Sequence, residues 1–160
     1  MIQDRITTVL WDTATFLFRA DLFRTPIGQG QSSFGSGAKT AADTNLMLSG
    51  QLPSGWNFNA SEIRCVPMGD TRHADLSHIV FRFYIGAKFY SELPADQAAA
   101  RTVILGGQIP GLLIGNMELG FSIIPLAIRS GEPFFATVES PLDKRLCVRF
   151  SLHGTLYRQI

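Results

Sequence analysis

The sequence predicts an all-β protein, an antiparallel two-sheet sandwich folded as a single jelly roll of about eight strands. Residues 79–85 and 146–152 carry large apolar side chains at every second position, with Arg82 and Arg149 in the alternate phase. That two-residue period is typical of a strand with one buried face. Turn residues recur at the spacing of a sandwich and almost no stretch favours helix, which is why we expect two packed sheets.

The chain divides into residues 1–15, an N-terminal arm or first strand, and residues 16–160, the jelly-roll domain. Residues 16–23 read as a strand interrupted by Arg19 and Asp21. Residues 26–39 are rich in glycine and serine, a composition that neither holds a helix nor packs a core. Loops of this length are often functional or ordered by a partner.

The next elements are predicted as a hairpin. Residues 44–49 form its short first strand, and Trp56 begins the second after a turn. Apolar residues then change phase on passing from 56–60 to 63–65, which predicts a β-bulge near Ser61 and Glu62.

In the middle of the chain we expect a polar loop over residues 67–77 and a strand over 88–93. Residues 96–101 are the one predicted helix, because three alanines follow a proline. Residues 104–119 combine glycines with aliphatic residues and suit a flexible apolar loop.

The last strands follow. Residues 121–128 are apolar in both phases, and Pro125 requires an edge position or a bulge there. Residues 134–139 alternate again. In the final strand, Gly154 either bends the chain or ends the strand before residues 156–160.

Composition gives a first indication of function. The 160 residues suit one domain, and only 17% are charged, against about 25% in typical soluble domains. Twelve phenylalanines either fill the sandwich core or leave an apolar surface for assembly. The net charge of +1, with no basic run, disfavours binding to nucleic acid.

The two cysteines, Cys65 and Cys147, lie in predicted strands without metal-binding spacing, so we expect buried free thiols, with a disulfide as the alternative. No stretch has the length and apolarity of a membrane-spanning helix. Asp12 interrupts the apolar run 9–18, so no secretory signal is predicted and a reducing cytoplasm is the simpler site of synthesis.

One candidate catalytic set is His73, Asp75 and His153, with Arg158 beyond it. Two histidines and a carboxylate form the facial triad of non-haem iron oxygenases, which are built on jelly-roll barrels. A chance His-x-Asp in a polar loop, with an outward-facing strand histidine, is the simpler interpretation.

A second candidate is a local metal clip of His73, Asp75 and His78, with Asp70 as a fourth ligand, although such loops are more often merely solvated. The stretch 35–40 resembles the end of a phosphate-binding loop but has Ala38 before Lys39, where that motif needs glycine. A mobile surface loop is therefore predicted there.

Aromatic residues suggest a third candidate. The side chains of Trp56, Tyr84, Phe89 and Tyr90 are able to stack on sugars, as in lectin-like sandwiches. Aromatic residues in strands more often belong to the core. No signature of serine hydrolysis is present.

Three pieces of the sequence, residues 22–30, 44–53 and 154–160, together resemble the major capsid proteins of tailless icosahedral bacteriophages. The pieces are LFRTPIGQG, TNLMLSGQLP and GTLYRQI, which are strand and turn residues without a catalytic signature. The resemblance implies a jelly roll that assembles into trimers or pseudo-hexameric capsomers. The length suits a single barrel, with a second coat protein as a further partner.

From the sequence we therefore predict a structural virion protein, made in the host cytoplasm and located in the capsid. We assign no enzymatic activity and no catalytic, cofactor-binding or metal-binding residue. The competing class is a metal-dependent or carbohydrate-binding jelly roll. Contacts between copies are expected at residues 27–34 and 104–117, and the second region is also suited to facing an internal membrane.

Overall fold

A computed structural model describes residues 3–30, 37–86, 88–95, 101–105, 115–119 and 121–159. One short 3₁₀ helix, His73–His78, lies between the third and fourth strands. The strands are β1 (Gln3–Phe16), β2 (Arg19–Leu22), β3 (Asn57–Pro67), β4 (Val80–Ile85), β5 (Lys88–Pro94), β6 (Arg101–Leu105), β7 (Gly115–Leu119), β8 (Phe121–Ile128), β9 (Phe134–Glu139) and β10 (Leu146–Gln159).

Eight of these strands form two four-stranded sheets. The first sheet has the order β1-β10-β3-β8 and the second has the order β2-β9-β4-β5, with every pair antiparallel. Strands β6 and β7 pair only with each other among the described residues. The prediction of an all-β protein with two antiparallel sheets is confirmed.

The core lies between the two sheets and is built by the alternation seen in the sequence. In β4 the side chains of Phe81 and Phe83 are buried, while Arg82 faces outward between them. The ring of Phe81 stacks on that of Phe150 from β10, with centroids 4.5 Å apart. Since β4 and β10 belong to different sheets, this contact joins the two strands with the clearest alternation across the sandwich.

The predicted β-bulge is confirmed. In the β3–β10 pairing, Glu62 lies opposite His153 and Ala60 lies opposite Gly154, so Ser61 is the extra residue. A Cβ atom at Gly154 would clash with the carbonyl oxygen of Asn59. Glycine is therefore required there by close approach of the β3 backbone, and β10 continues past it to Gln159.

Two predictions for the first third of the chain are wrong. Residues 16–23 are not one strand, because a turn at Leu17 and Phe18 separates β1 from β2. Residues 44–49 do not pair with β3. Thr44 instead forms a single bridge with Asp12 of β1, because this segment crosses the edge of the first sheet.

Three more expectations need correction or fall outside the described residues. The loop 67–77 runs into the 3₁₀ helix His73–His78. Of the predicted helix 96–101, residues 96–100 lie outside the described residues and Arg101 begins β6. The predicted apolar loop 104–119 is instead bounded by the β6–β7 pair, and residues 106–114 are not described.

Other expectations agree with the structure. Strand β8 is an edge strand, and its register with β3 is irregular between Leu126 and Ser122, the stretch that contains Pro125. Both cysteines are free, as expected, but the expectation that both are buried is correct only for Cys65, because Cys147 is half-buried. In the described part of the chain, no helix is long and apolar enough to cross a membrane.

Candidate functional site

In the candidate iron triad, His153 lies far from His73 and Asp75, which share the 3₁₀ helix. The hydroxyl of Thr71 accepts a hydrogen bond from the N–H of Cys147 at 2.7 Å, which places the loop of His73 near the start of β10. His153 lies six residues further along β10, about 20 Å away at the rise of a strand. Among the described residues no group of three or more histidine, cysteine, aspartate or glutamate side chains is close enough to hold a metal ion.

Asp75 has a structural role at the 3₁₀ helix. Its carboxylate accepts hydrogen bonds from the N–H of Arg72 at 2.9 Å and from Lys144 Nζ at 2.8 Å. The hydrogen bond from Lys144 is the main reason that the pKa of Asp75 is lower than usual. This carboxylate therefore fastens the helix to the β9–β10 turn, and His73 and His78 are exposed beside it.

His153 lies on β10 between Val9 and Glu62 of the two neighbouring strands. Its Nε2 is 3.0 Å from the hydroxyl of Ser151. Burial, and then the positive charge of Arg64, lower the pKa of His153, with Glu62 acting in the opposite direction. The ring is therefore neutral over most of the physiological pH range.

Lys39, from the stretch that resembles a phosphate-binding loop, is buried and paired. Its Nζ is 2.7 Å from both carboxylate oxygens of Asp12, and the two side chains are 2% and 0% exposed. The carbonyl of Lys39 also accepts a hydrogen bond from Gly28 at 2.6 Å. Lys39 thus anchors the β2–β3 connection to β1, and residues 31–36 beside it lie outside the described part of the chain.

Asp12 is the central acceptor of this buried cluster. Besides Lys39, it accepts hydrogen bonds from the N–H of Phe23 at 2.6 Å and of Thr13 at 2.9 Å. Burial raises the pKa of Asp12 above its ordinary value, while the Lys39 charge and these hydrogen bonds act in the opposite direction. The bond to Phe23 also holds that residue at a φ of 64°, which a bulky side chain rarely adopts.

Sequence analysis did not identify this buried pair, although a signal for Asp12 was present. Asp12 occupies the same phase of β1 as Ala14 and Phe16, both of which are fully buried. A carboxylate in the buried phase of a strand needs a partner, because an unpaired buried charge is very unfavourable. The identity of that partner depends on the path of the β2–β3 connection.

The described aromatic candidates are covered by neighbouring side chains. The ring of Tyr84 stacks on Phe135 with centroids 4.7 Å apart, and Arg24 lies over the Phe135 ring at 3.8 Å. The guanidinium of Arg158 lies 4.6 Å from the centre of the Trp56 ring. One face of each predicted sugar platform is therefore already occupied. The side chains of Phe89 and Tyr90 lie outside the described residues.

Large apolar side chains are exposed at three places on the sandwich. Ile6 lies on the first half of β1, Phe18 lies in the β1–β2 turn, and Met47 and Leu48 lie in the β2–β3 connection. Met47 is the most open of them, at 76% exposure. Such surfaces in a soluble protein commonly mark contacts with other molecules.

Phe18 lies beside a groove of about 360 Å³ whose lining includes His78, Val80, Arg82 and Pro141. The turn holds Phe18 at a φ of 67° with its side chain half exposed. A bulky residue in this conformation is strained, and such strain is often found at functional positions. The groove and Phe18 together form an apolar surface at the β1–β2 end of the second sheet.

The predicted contact regions are described only in part. Within 27–34, Ile27 is half-buried and its N–H donates to Leu46 O at 2.8 Å, residues 28–30 are exposed, and 31–34 are not described. Within 104–117, the backbone of β6 and β7 is described and residues 106–114 are not. Both regions remain predictions.

In comparisons with known proteins, no family model, no curated protein and no solved structure matches this chain.

Proposed function

We propose that this chain is a structural capsid subunit, a single jelly roll that assembles with copies of itself into the shell of an icosahedral bacteriophage. The observation that carries the proposal is the set of large apolar side chains exposed at separate places on the sandwich, Ile6, Phe18, Met47 and Leu48. A subunit that meets neighbours on several sides needs contact surfaces of this kind.

The strand pairing supports the jelly-roll part of the proposal. Setting aside the β6–β7 pair, the first of the remaining eight strands pairs with the last, β1 with β10, and the second with the last but one, β2 with β9. The pairs β3 with β8 and β4 with β5 continue the series. This is the pattern of a long antiparallel ribbon wrapped into two sheets, as in a jelly roll.

The position of the exposed residues supports assembly into a closed shell. Met47 and Leu48 lie near the end of the second sheet where Gly50 O accepts the N–H of Phe134, whereas Phe18 lies at the opposite end of β9, where its carbonyl accepts the N–H of Ser140. Apolar surfaces at opposite ends suit head-to-tail contacts, which generate rings when the rotation closes. Trimers or pseudo-hexameric capsomers are the assemblies proposed, in the virion, with a second coat protein or an internal membrane as further contacts.

The test is the assembly state of the purified protein, measured by light scattering and negative-stain microscopy. We expect capsomers or larger particles. The double substitution Met47→Ser with Leu48→Ser is expected to reduce assembly, because it removes two large exposed apolar side chains of the β2–β3 connection. Gln51→Ser is the matched control, since Gln51 is an exposed polar residue of the same segment.

A protein that stays monomeric at every concentration contradicts the proposal. Equal assembly of the double variant and the control contradicts the role given to Met47 and Leu48. Stoichiometric iron in the purified protein, lost on replacing His73 and His153, would instead favour the metal-dependent class.

A further inference from the structure

We propose that two copies of this chain pair through the free edge of β1, antiparallel about a twofold axis at Ile6, so that the first sheets of both copies join into one continuous sheet. This contact is a specific one that the shell proposal does not require. Its occupant is a second copy of the chain, and its register follows from the hydrogen bonds of the described residues.

The first half of β1 has one unpaired edge in the described part of the chain. On one side all of β1 pairs with β10, from Gln3 opposite Gln159 to Phe16 opposite Leu146. On the other side, the β2–β3 connection covers only the second half, where Thr44 bridges Asp12. Among the described residues, none pairs with the outer edge of residues 3–8. Unpaired edges of this kind template pairing with another chain.

Hydrogen bonds at the covered half show which residues point their backbone groups outward. The N–H of Trp11 donates to Asn45 Oδ1 at 2.9 Å, the carbonyl of Val9 accepts from Asn45 Nδ2 at 2.6 Å, and the N–H of Thr13 donates to Asp43 O at 2.7 Å. The outward groups therefore belong to odd-numbered residues. Because β1 pairs with β10 without a register shift, the same alternation makes those of Arg5 and Thr7 point outward and unpaired.

These constraints leave one symmetric register. Two outward-facing residues must lie opposite each other, so the two residue numbers of each pair must add up to an even number. If Thr7 lay on the twofold axis, the second copy would extend past Val9 and meet the Asn45 side chain. If Arg5 or Asp4 lay there, two like charges would stand directly opposite each other, which is unfavourable. The remaining axis passes through Ile6.

In that register the outward backbone groups of Arg5 and Thr7 gain partners. Arg5 lies opposite Thr7 of the second copy, so the two Arg5–Thr7 pairs exchange about four backbone hydrogen bonds. Gln3 lies opposite Val9, whose carbonyl keeps its hydrogen bond from Asn45. Ile6, which is half exposed in the single chain, meets Ile6 of the second copy in a non-hydrogen-bonded pair, where side chains approach most closely. Asp4 keeps its own partner, Arg158, at 3.0 Å.

The segment 3–9 has few of the features that keep sheet edges apart, since its charged residues are Asp4, which is paired with Arg158, and Arg5. It has no proline, lysine or glycine, and residues 6–9 are Ile, Thr, Thr and Val, which are all favoured in strands. A single pair of strands buries less area than a standard stable interface, so the contact is a weak one. Weak contacts suit a symmetric assembly in which several act together.

The experiment is disulfide trapping in a Cys147→Ser background, in which the remaining native cysteine, Cys65, is buried. Ile6→Cys is expected to give a covalent dimer on mild oxidation, since residues in a non-hydrogen-bonded pair have Cα atoms about 4.5 Å apart, within disulfide range. Thr8→Cys is the matched control on the same face. In the proposed register the two copies of Thr8 lie about 13 Å apart along the strands and are expected to stay monomeric.

Thr7→Pro tests the backbone contact. Proline removes the outward N–H of Thr7 and leaves the β1–β10 pairing intact, because a proline is tolerated on the free side of an edge strand. In the Ile6→Cys background we expect Thr7→Pro to lower the yield of the dimer about tenfold or more, since each copy loses a donor, and Thr7→Ala to leave it unchanged.

Hydrogen exchange of the unaltered protein gives a second readout that does not depend on any variant. The amides of Arg5 and Thr7 are expected to exchange more slowly at high than at low protein concentration, while the Ile6 amide, bonded to β10, is slow at both. The pairing would be overturned by equal cross-linking of Ile6→Cys and Thr8→Cys, or by no cross-linking of Ile6→Cys. It would also be overturned if the exchange of the Arg5 and Thr7 amides did not depend on protein concentration.

These outcomes separate the pairing from the proposed function. Dimers trapped through Ile6 without larger particles support the edge contact and contradict the shell. If Thr7→Pro forms particles normally and Ile6→Cys gives no trapped dimer, the shell is supported and the edge contact is contradicted.

Discussion

Replacing Lys39 with methionine tests the buried ion pair, because it removes the cation and leaves Asp12 in place. Met is unbranched and of similar length, so it fills the same space without a charge. Asp12 then keeps only the hydrogen bonds from Phe23 N–H at 2.6 Å and Thr13 N–H at 2.9 Å. Its carboxylate stays fully buried, with neither solvent nor a cation to balance the charge.

Breaking a buried pair by removing one partner costs about 3–5 kcal/mol. Two backbone donors remain on Asp12, so we expect the lower end, about 3 kcal/mol of unfolding free energy at pH 7. For a chain of this size that corresponds to a fall in Tm of about 10 °C. Removing both charges, in Asp12→Asn with Lys39→Met, should recover at least half of the loss, because a neutral amide still accepts one of the N–H groups.

The unfolding free energy lost in Lys39→Met should also depend on pH. Burial raises the pKa of Asp12 in the folded chain, and removing Lys39 takes away an opposing effect, so the folded variant binds a proton more tightly than the unfolded chain does. A raised pKa of the folded state contributes stability that is present below the pKa of the unfolded chain and lost as pH rises through that of the folded one. The difference in unfolding free energy between Lys39→Met and the unaltered protein should therefore become smaller from pH 7 to pH 4.

The assay is urea unfolding followed by circular dichroism at several pH values. Lys144→Met is the matched control, because Lys144 makes an equally short contact with Asp75, at 2.8 Å, but is exposed. Its midpoint should not move measurably at pH 7. The role given to the Asp12–Lys39 pair would be refuted if Lys39→Met and Lys144→Met had the same urea midpoint at pH 7. It would also be refuted if the difference in unfolding free energy between Lys39→Met and the unaltered protein grew on acidification.

Three further predictions concern other parts of the sandwich. Gly154→Ala should lower the unfolding free energy by about 2–3 kcal/mol, because its Cβ would meet Asn59 O, whereas Gly37→Ala, with open space around it, should have little effect in the same urea titration. Thr137→Val should raise that free energy by about 1 kcal/mol, since the buried Thr137 hydroxyl has no hydrogen-bond partner among the described residues, and unchanged stability would count against this. Because the pKa of His153 is lowered in the folded state, the unfolded chain binds the proton more readily, and the stability present above pH 6.5 is lost on acidification. His153→Gln should therefore make the unfolding free energy depend less on pH between pH 7 and 5. The same pH dependence in the variant and the unaltered protein would contradict the burial argument.

The parts of the fold that depend on neighbouring residues were predictable from the sequence, and those that depend on contacts between distant segments were not. The alternation in β4 and β10 is a property of neighbouring residues. β4 was predicted within one residue of its observed bounds, and the start of β10 was predicted correctly, although β10 continues past Gly154 to Gln159. The bulge at Ser61 was predictable from the change of apolar phase. The hairpin expected at residues 44–49 was wrong, because Thr44 bridges to Asp12, which lies far away in the sequence.

Among the functional features too, some follow from strand phase and others from contacts between distant segments. A free thiol at Cys65 and the outward position of Arg82 follow from strand phase alone. From the sequence, Ile6 was predicted only as part of an arm or first strand. Its exposure, and the point at Asn45 where the described β2–β3 connection begins to cover the edge of β1, follow from where that connection meets β1.

The sequence by itself thus determined that this protein is built from strands, because a two-residue period specifies which side chains share a face. The tertiary structure alone decided which polar groups meet. Asp12 and Lys39 are joined through the fold, His73 and His153 are kept apart by the length of β10, and no described residue pairs with the outer edge of the first half of β1. Such pairings depend on how distant segments pack, and no local pattern of residues encodes that distance.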